Sequence, residues 1–160
     1  MHADMLVKLY ALPELAPAIQ RQAQAGITIR RAIPPERHIV VDWVRQTFAK
    51  AWASETEVAF SRHPVSCMIS VENDELTGFA CYDATYKGFF GPTGVAEAKR
   101  GRGTGEALLL ACLHAMYAEG YGYAIIGAAG PQDFYKKAVD AITIEDSWPG
   151  IYRGMLREKK

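Results

Sequence analysis

Arg100-Gly101-Arg102-Gly103-Thr104-Gly105 is the stretch of this chain whose residue types and spacing most clearly serve chemistry. Glycine at alternate positions lets the backbone turn tightly and present successive N–H groups, and the apolar-patterned segment that follows brings the positive end of a helix dipole to the same place. A loop of this kind holds an anion. What the loop lacks narrows the anion. A Walker-type phosphate loop needs Lys followed by Ser or Thr, whereas Glu106-Ala107 follow Gly105. A dinucleotide fingerprint needs a third glycine where Glu106 stands, and an acidic residue closing the next strand, where Ile125-Ile126 run into Gly127-Ala128. The plain alternative is a loop that only turns the chain. An extended segment before it and a helix after it favour the anion.

Those flanking elements follow from periodicity. Over 105–119 the apolar Leu109, Cys112, Leu113 and Met116 recur at helical spacing, with Gly120 as the stop. Residues 87–95 are extended, but Gly88, Gly91, Pro92 and Gly94 make a poor regular strand and predict a bulge or a splay. Apolar runs at 65–71 and 76–82 flank the polar turn Glu72-Asn73-Asp74-Glu75 and predict a hairpin. Further strands are expected at 27–33, 123–126, 141–145 and 151–156, and helices at 18–25, 38–48, 55–60 and 131–138. The order gives one α/β domain with a mixed sheet. Ala25-Gly26 divides an N-terminal appendix, 1–25, read as a surface arm, from a main domain over 26–160.

Composition excludes other classes. The 160 residues are 49% apolar, enough for a proper core and incompatible with disorder. Eighteen basic side chains balance 18 acidic ones and are scattered, which argues against a nucleic-acid face. Cys67, Cys81 and Cys112 are odd in number, form no CxxC pair and lie in apolar segments, as in a reducing, cytoplasmic protein. No apolar run reaches the ~18 residues that a membrane helix needs, and Asp4 stands where an export signal would carry basic charge. The expected state is soluble, unexported, and a monomer or small homo-oligomer.

The loop, taken with its surroundings, resembles the GNAT superfamily of N-acetyltransferases. Val95 stands five residues before the Arg-x-x-Gly-x-Gly/Ala loop that opens a long helix, and Phe134-Tyr135-Lys136-Lys137 is similar to the family's Phe-Tyr-x-Lys helix. The resemblance implies a single-domain fold whose mixed, mostly antiparallel sheet has a splayed central strand and flanking helices. It also implies acetyl-coenzyme A as donor, with no metal. Its pyrophosphate would rest on the N–H groups of Arg102 through Gly105, its pantetheine arm beside Thr93, Gly94 and Val95, with Arg100, Gly101 and Glu106 completing the set. Tyr135 matches the tyrosine that protonates the departing thiolate, its alternative being a partly buried helix tyrosine beside Phe134. Ala128 stands where the family often has Asn, and Val139-Asp140 where it usually has Gly-Phe.

The acceptor side is expected from the early helices and a late loop. Trp52, Glu55 and Glu57, with Asp146, Trp148 and Tyr152, would wall an acidic, aromatic pocket for a cationic amine, with Trp52, Glu55 and Trp148 as the principal contacts. A glutamate that some members carry six residues before the valine is replaced by Phe89, so the general base stays open among Asp83, Glu55, Glu57, His114 and a water chain. His114, mid-helix among apolar neighbours, reads as structural. The function implied is acetyl transfer to a primary amine of a small molecule or peptide by direct attack in a ternary complex. The alternative is a non-catalytic acetyl-coenzyme A sensor or partner module.

Overall fold

The computed structural model describes residues 2–159. Its strands are β1 (Met5–Lys8), β2 (Ile27–Arg31), β3 (Cys67–Glu72), β4 (Glu75–Tyr82), β5 (Phe89–Val95), β6 (Tyr123–Ile126) and β7 (Ile142–Thr143). Its helices are α1 (Leu15–Gln24), α2 (Arg37–Thr47), α3 (Lys50–Phe60), α4 (Thr104–Ala118) and α5 (Gln132–Val139). The strands form one sheet in the order β2-β3-β4-β5-β6-β1-β7. All pairs are antiparallel except β5 with β6. This is the expected mixed sheet of a GNAT-like α/β domain.

The hairpin forms around Asn73 and Asp74, both at positive φ, which small polar side chains tolerate in a two-residue turn. α4 is buried nearly all round because it lies against the sheet on one side and α1 on the other, so Leu108, Leu109, Leu110 and Leu113 are all inaccessible. The opposite face of the sheet carries α2 and α3 over Phe79, Ile69 and the thiols of Cys67 and Cys81. All three cysteines are buried free thiols.

Three expectations change. The segment before Gly26 is not a surface arm: Met5 and Val7 are fully buried, β1 inserts between β6 and β7, and α1 packs on α4 and β2. Alternation of buried and half-buried residues in Met5-Leu6-Val7-Lys8 is a strand signal, and Pro17 falls in the first turn of α1, where its missing N–H costs nothing. α3 begins at Lys50 rather than 55, its start hidden because Ala49 offers no capping side chain. Residues 151–156 form no strand. A short 3-10 turn, Gly150–Tyr152, lies there between Gly150 and Gly154, both at positive φ.

Candidate active site

β5 creates the site by leaving its neighbour. It pairs with β6 only through Phe89 and Phe90, after which Gly91 takes φ +119 and Pro92 has no N–H to donate. On its other side β5 stays with β4 as far as Val95 opposite Gly78. The Ala96 N–H bonds the Thr77 carbonyl (2.9 Å), which sets the strand's phase: Thr93 and Val95 turn their backbone groups toward the gap. The Val95 carbonyl accepts a bond from Arg100 Nε (3.0 Å), and the Thr93 amide and carbonyl and the Val95 N–H face the gap with no partner strand among the described residues. Close packing keeps this stretch in place. A Cβ on Gly94 would come within 2.5 Å of the Phe48 ring, so Gly94→Ala is expected to destabilise the fold by about 1–3 kcal/mol, read as a lower urea midpoint.

The glycine loop turns back from β5 into α4. Gly101 (φ +84) and Gly103 (φ +78) both occupy the left-handed region, and Gly103 is the residue from which α4 starts. The basic side chains of the loop are engaged within the protein: Arg100 bonds the Val95 carbonyl, and Glu72, at the end of β3, holds Lys99 Nζ at 2.9 Å and Arg102 at 2.7 Å. The paired cations in turn hold the Glu72 carboxyl below its usual range. Alongside Lys99 and Arg100, which also line the groove, the loop offers an anion backbone N–H and helix dipole.

Loop, splayed strand and α5 enclose one groove of about 570 Å³. Thr93, Gly94, Val95, Arg100, Gly101, Gly103, Thr104, Gly105 and Glu106 all line it, and of the expected cofactor contacts only Arg102 does not. Tyr135 lines the same groove from α5, with Phe134 and Pro131 beside it. Its ring meets Phe90 edge-on at 6.3 Å and Phe134 at 5.2 Å, and burial pushes its phenol up to about 12. The hydroxyl therefore stays protonated across the neutral range.

Phe89, next along β5, points to the other face of the sheet. There a Cβ on Gly127 would touch both the Phe89 ring (3.1 Å) and the Tyr152 hydroxyl (2.6 Å), so the three crowd together. Tyr152 stacks at 6.3 Å on the half-exposed Trp148. Burial, reinforced by the carboxylates of Glu55 and Asp4, raises the Tyr152 phenol to about 12. Glu55 on α3 accepts a hydrogen bond from the Thr85 hydroxyl, and burial raises its carboxyl above the usual range despite that bond.

The model of the Acetyltransferase (GNAT) family matches residues 35–139. The chain belongs to this family. Among solved structures, this GNAT chain is similar to the GCN5-related glucosamine N-acetyltransferase region of a fungal multi-domain GH3 β-N-acetylglucosaminidase, at 15% identity and a TM-score of 0.72, over 89% of this chain and 20% of that one. It is also similar to a GCN5-related N-acetyltransferase from Sphaerobacter thermophilus, at 23% identity and a TM-score of 0.67, over 89% of this chain and 48% of that one. A GNAT family acetyltransferase from Brucella melitensis, solved with acetyl-CoA, matches at 17% identity and a TM-score of 0.51, over 69% of this chain and 80% of that one. The chain thus spans half or less of the first two structures it resembles. No curated protein matches it.

The GNAT scaffold separates the expected acceptor residues. Tyr152 and Trp148 lie together on the far face of β5, where the Glu55 carboxylate acts on the Tyr152 phenol, while Trp52 packs into the aromatic cluster with Phe48 at 5.3 Å and Phe79 at 6.2 Å. Glu57 is drawn off by Arg37 and Arg45, each at 3.7 Å, and Asp146 is exposed at a turn. Asp83 is committed to structure, accepting bonds from the Gly88 N–H (2.7 Å) and the Tyr121 hydroxyl (2.9 Å). His114 Nε2 bonds the Pro13 carbonyl at 2.8 Å, tying α4 to the chain ahead of α1. Gln22, Glu72, Asp4 and Thr85 escaped sequence reasoning. Gln22 alone carried a signal, a polar residue on the stripe with Leu15 and Ala18 that α1 turns inward. Among the described residues no His, Cys, Asp and Glu group could hold a metal, and no helix is long and apolar enough to cross a membrane.

Proposed function

We propose that the protein transfers the acetyl group of acetyl-coenzyme A to a primary amine of a small molecule or peptide by direct attack within a ternary complex. The observation that carries this reading is the convergence of the loop, the open edge of β5 and Tyr135 on one groove. The fit to the donor rests on the same features: left-handed glycines ahead of a helix N-terminus for the diphosphate, and unpaired strand groups for an amide-bearing arm. The donor supplies an activated acetyl thioester. The protein's part is to align it and exclude water, with the open N–H groups of β5 polarising the carbonyl. Tyr135 gives its proton to the sulfur as the thiolate leaves.

On the far face, Glu55 is the group best suited to receive the amine, with Trp148 and Tyr152 as an aromatic wall. Its raised pKa fixes the sign of a pH test. As pH falls through that value the carboxyl gains a proton and loses its charge, so the acidic limb of kcat/KM lies above the ordinary carboxylate range. Glu55→Gln should remove this limb and raise KM for the amine roughly tenfold, worth about 1.4 kcal/mol. A limb that persists in the variant assigns it to another group. Three buried free thiols support a reducing, cytoplasmic setting.

The decisive experiment incubates a panel of amine metabolites and peptides with acetyl-coenzyme A while following free thiol. Acceptor-dependent thiol release is expected. Tight coenzyme A binding with no release from any amine would favour a sensor instead.

A further inference from the structure

We infer that Gln22, on the N-terminal helix α1, is a positioning residue that aims the loop N–H groups at the diphosphate of the donor; the inference rests on the reading of the groove just given. Gln22 is 3% exposed, and a buried primary amide is costly unless it is bonded. Both of its polar atoms are spent on the loop. Nε2 donates to the Arg102 carbonyl at 2.8 Å, and Oε1 accepts from the Thr104 hydroxyl at 2.6 Å. The two bonds straddle Gly103, whose position for a Cβ lies 3.5 Å from Nε2.

Peptide planarity converts this clamp into an aim. In a trans peptide the carbonyl and the following N–H point in opposite directions. Drawing the Arg102 carbonyl toward α1 therefore turns the Gly103 N–H away from α1 and into the groove that Gly103 lines. Thr104 is 2% exposed and its hydroxyl is likewise drawn to α1, so the helix start presents backbone N–H rather than side-chain hydroxyl. Glu72 holds the Arg102 side chain from another direction, fixing that residue at both ends. Gln22 lies outside residues 35–139, so the clamp is supplied by the part of this chain that the family's model does not cover.

The test uses coenzyme A itself. Gln22→Leu keeps the volume and removes both bonds, and Gln22→Glu keeps the acceptor for Thr104 but loses the donor to Arg102. Calorimetry should show coenzyme A binding weakened about tenfold or more in each, the loss expected for one or two hydrogen bonds. Thr104→Val, which leaves Gln22 intact, should weaken it less. With the acceptor that the screen identifies, KM for acetyl-coenzyme A should rise while kcat at saturation stays near wild type, and S-acetylpantetheine, which lacks the diphosphate, should be used equally well by variant and wild type. Equal losses for both donors, or a lowered melting temperature with unchanged coenzyme A affinity, would make Gln22 a packing residue only. A wild-type protein that fails to bind coenzyme A overturns the reading of the groove; wild-type binding that Gln22→Leu leaves unchanged overturns this inference alone.

Discussion

Replacing Tyr135 by Phe should lower turnover by roughly 10² to 10⁴ while leaving coenzyme A affinity and melting temperature close to those of the wild type, because general acid catalysis is worth about that much in rate. The ring is what the fold uses. Its edge-on contacts with Phe90 and Phe134 survive the substitution, and no hydroxyl bond to another described residue is lost. Burial raises the phenol to about 12, so the proton is present throughout the working range and the wild-type rate should show no basic limb from this group near neutrality. Steady-state kinetics with the acceptor identified by the screen, set beside calorimetry with coenzyme A, separates the two effects. Full turnover in the variant would mean that water delivers the proton and that Tyr135 is a packing residue.

Gly103→Val should abolish measurable coenzyme A binding. Gly103 sits at φ +78, where a β-branched residue is strained by about 3 kcal/mol, the upper end of the usual range. Relief of that strain would rotate the peptide that carries the Gly103 N–H and break the Gln22 bond to Arg102. A valine at Gly105 is a useful contrast: its backbone is helical, and a Cβ there meets only Val95 at 3.9 Å, so the fold accepts the side chain and the groove alone narrows. Calorimetry on both variants, with circular dichroism to verify folding, should give loss at each site but a lower melting temperature only for Gly103. Unchanged affinity in the folded Gly103 variant would remove the loop from the donor site.

What could be read in the sequence was whatever is encoded locally. The periodicity of Leu109, Cys112, Leu113 and Met116 marks α4, and Gly91-Pro92 marks the place where β5 departs from β6, because left-handed backbone and a missing N–H act on the residues that carry them. The nine groove-lining members of the cofactor set lie in two short runs, 93–95 and 100–106, so a motif finds them together. Contacts between distant segments left no such trace. Gln22 and Arg102 are 80 positions apart, Glu55 and Thr85 are 30 apart, and nothing in either local pattern names its partner. Glu57 looked equivalent to Glu55 from spacing alone, yet two residues of helix turn it to the arginines of α2.

β1 enters the sheet between β6 and β7, and its neighbour Asp4 bonds Ala128 across 124 positions. Of these seven strands, β1 is made before the others yet is among the last to find its place. During synthesis Met5, Val7 and Leu9 leave the ribosome as an unpaired apolar segment, and they stay so until the chain has been made past β6. Closure of so large a loop slows folding and leaves the nascent segment open to wrong partners. The glycine loop is tied to this segment, since α1 follows β1 after one short 3-10 turn and carries Gln22, which bonds Arg102. A nascent chain can thus complete its hairpin before α1 settles on α4, and the bonds from Gln22 to Arg102 and Thr104 form only once α1 has docked.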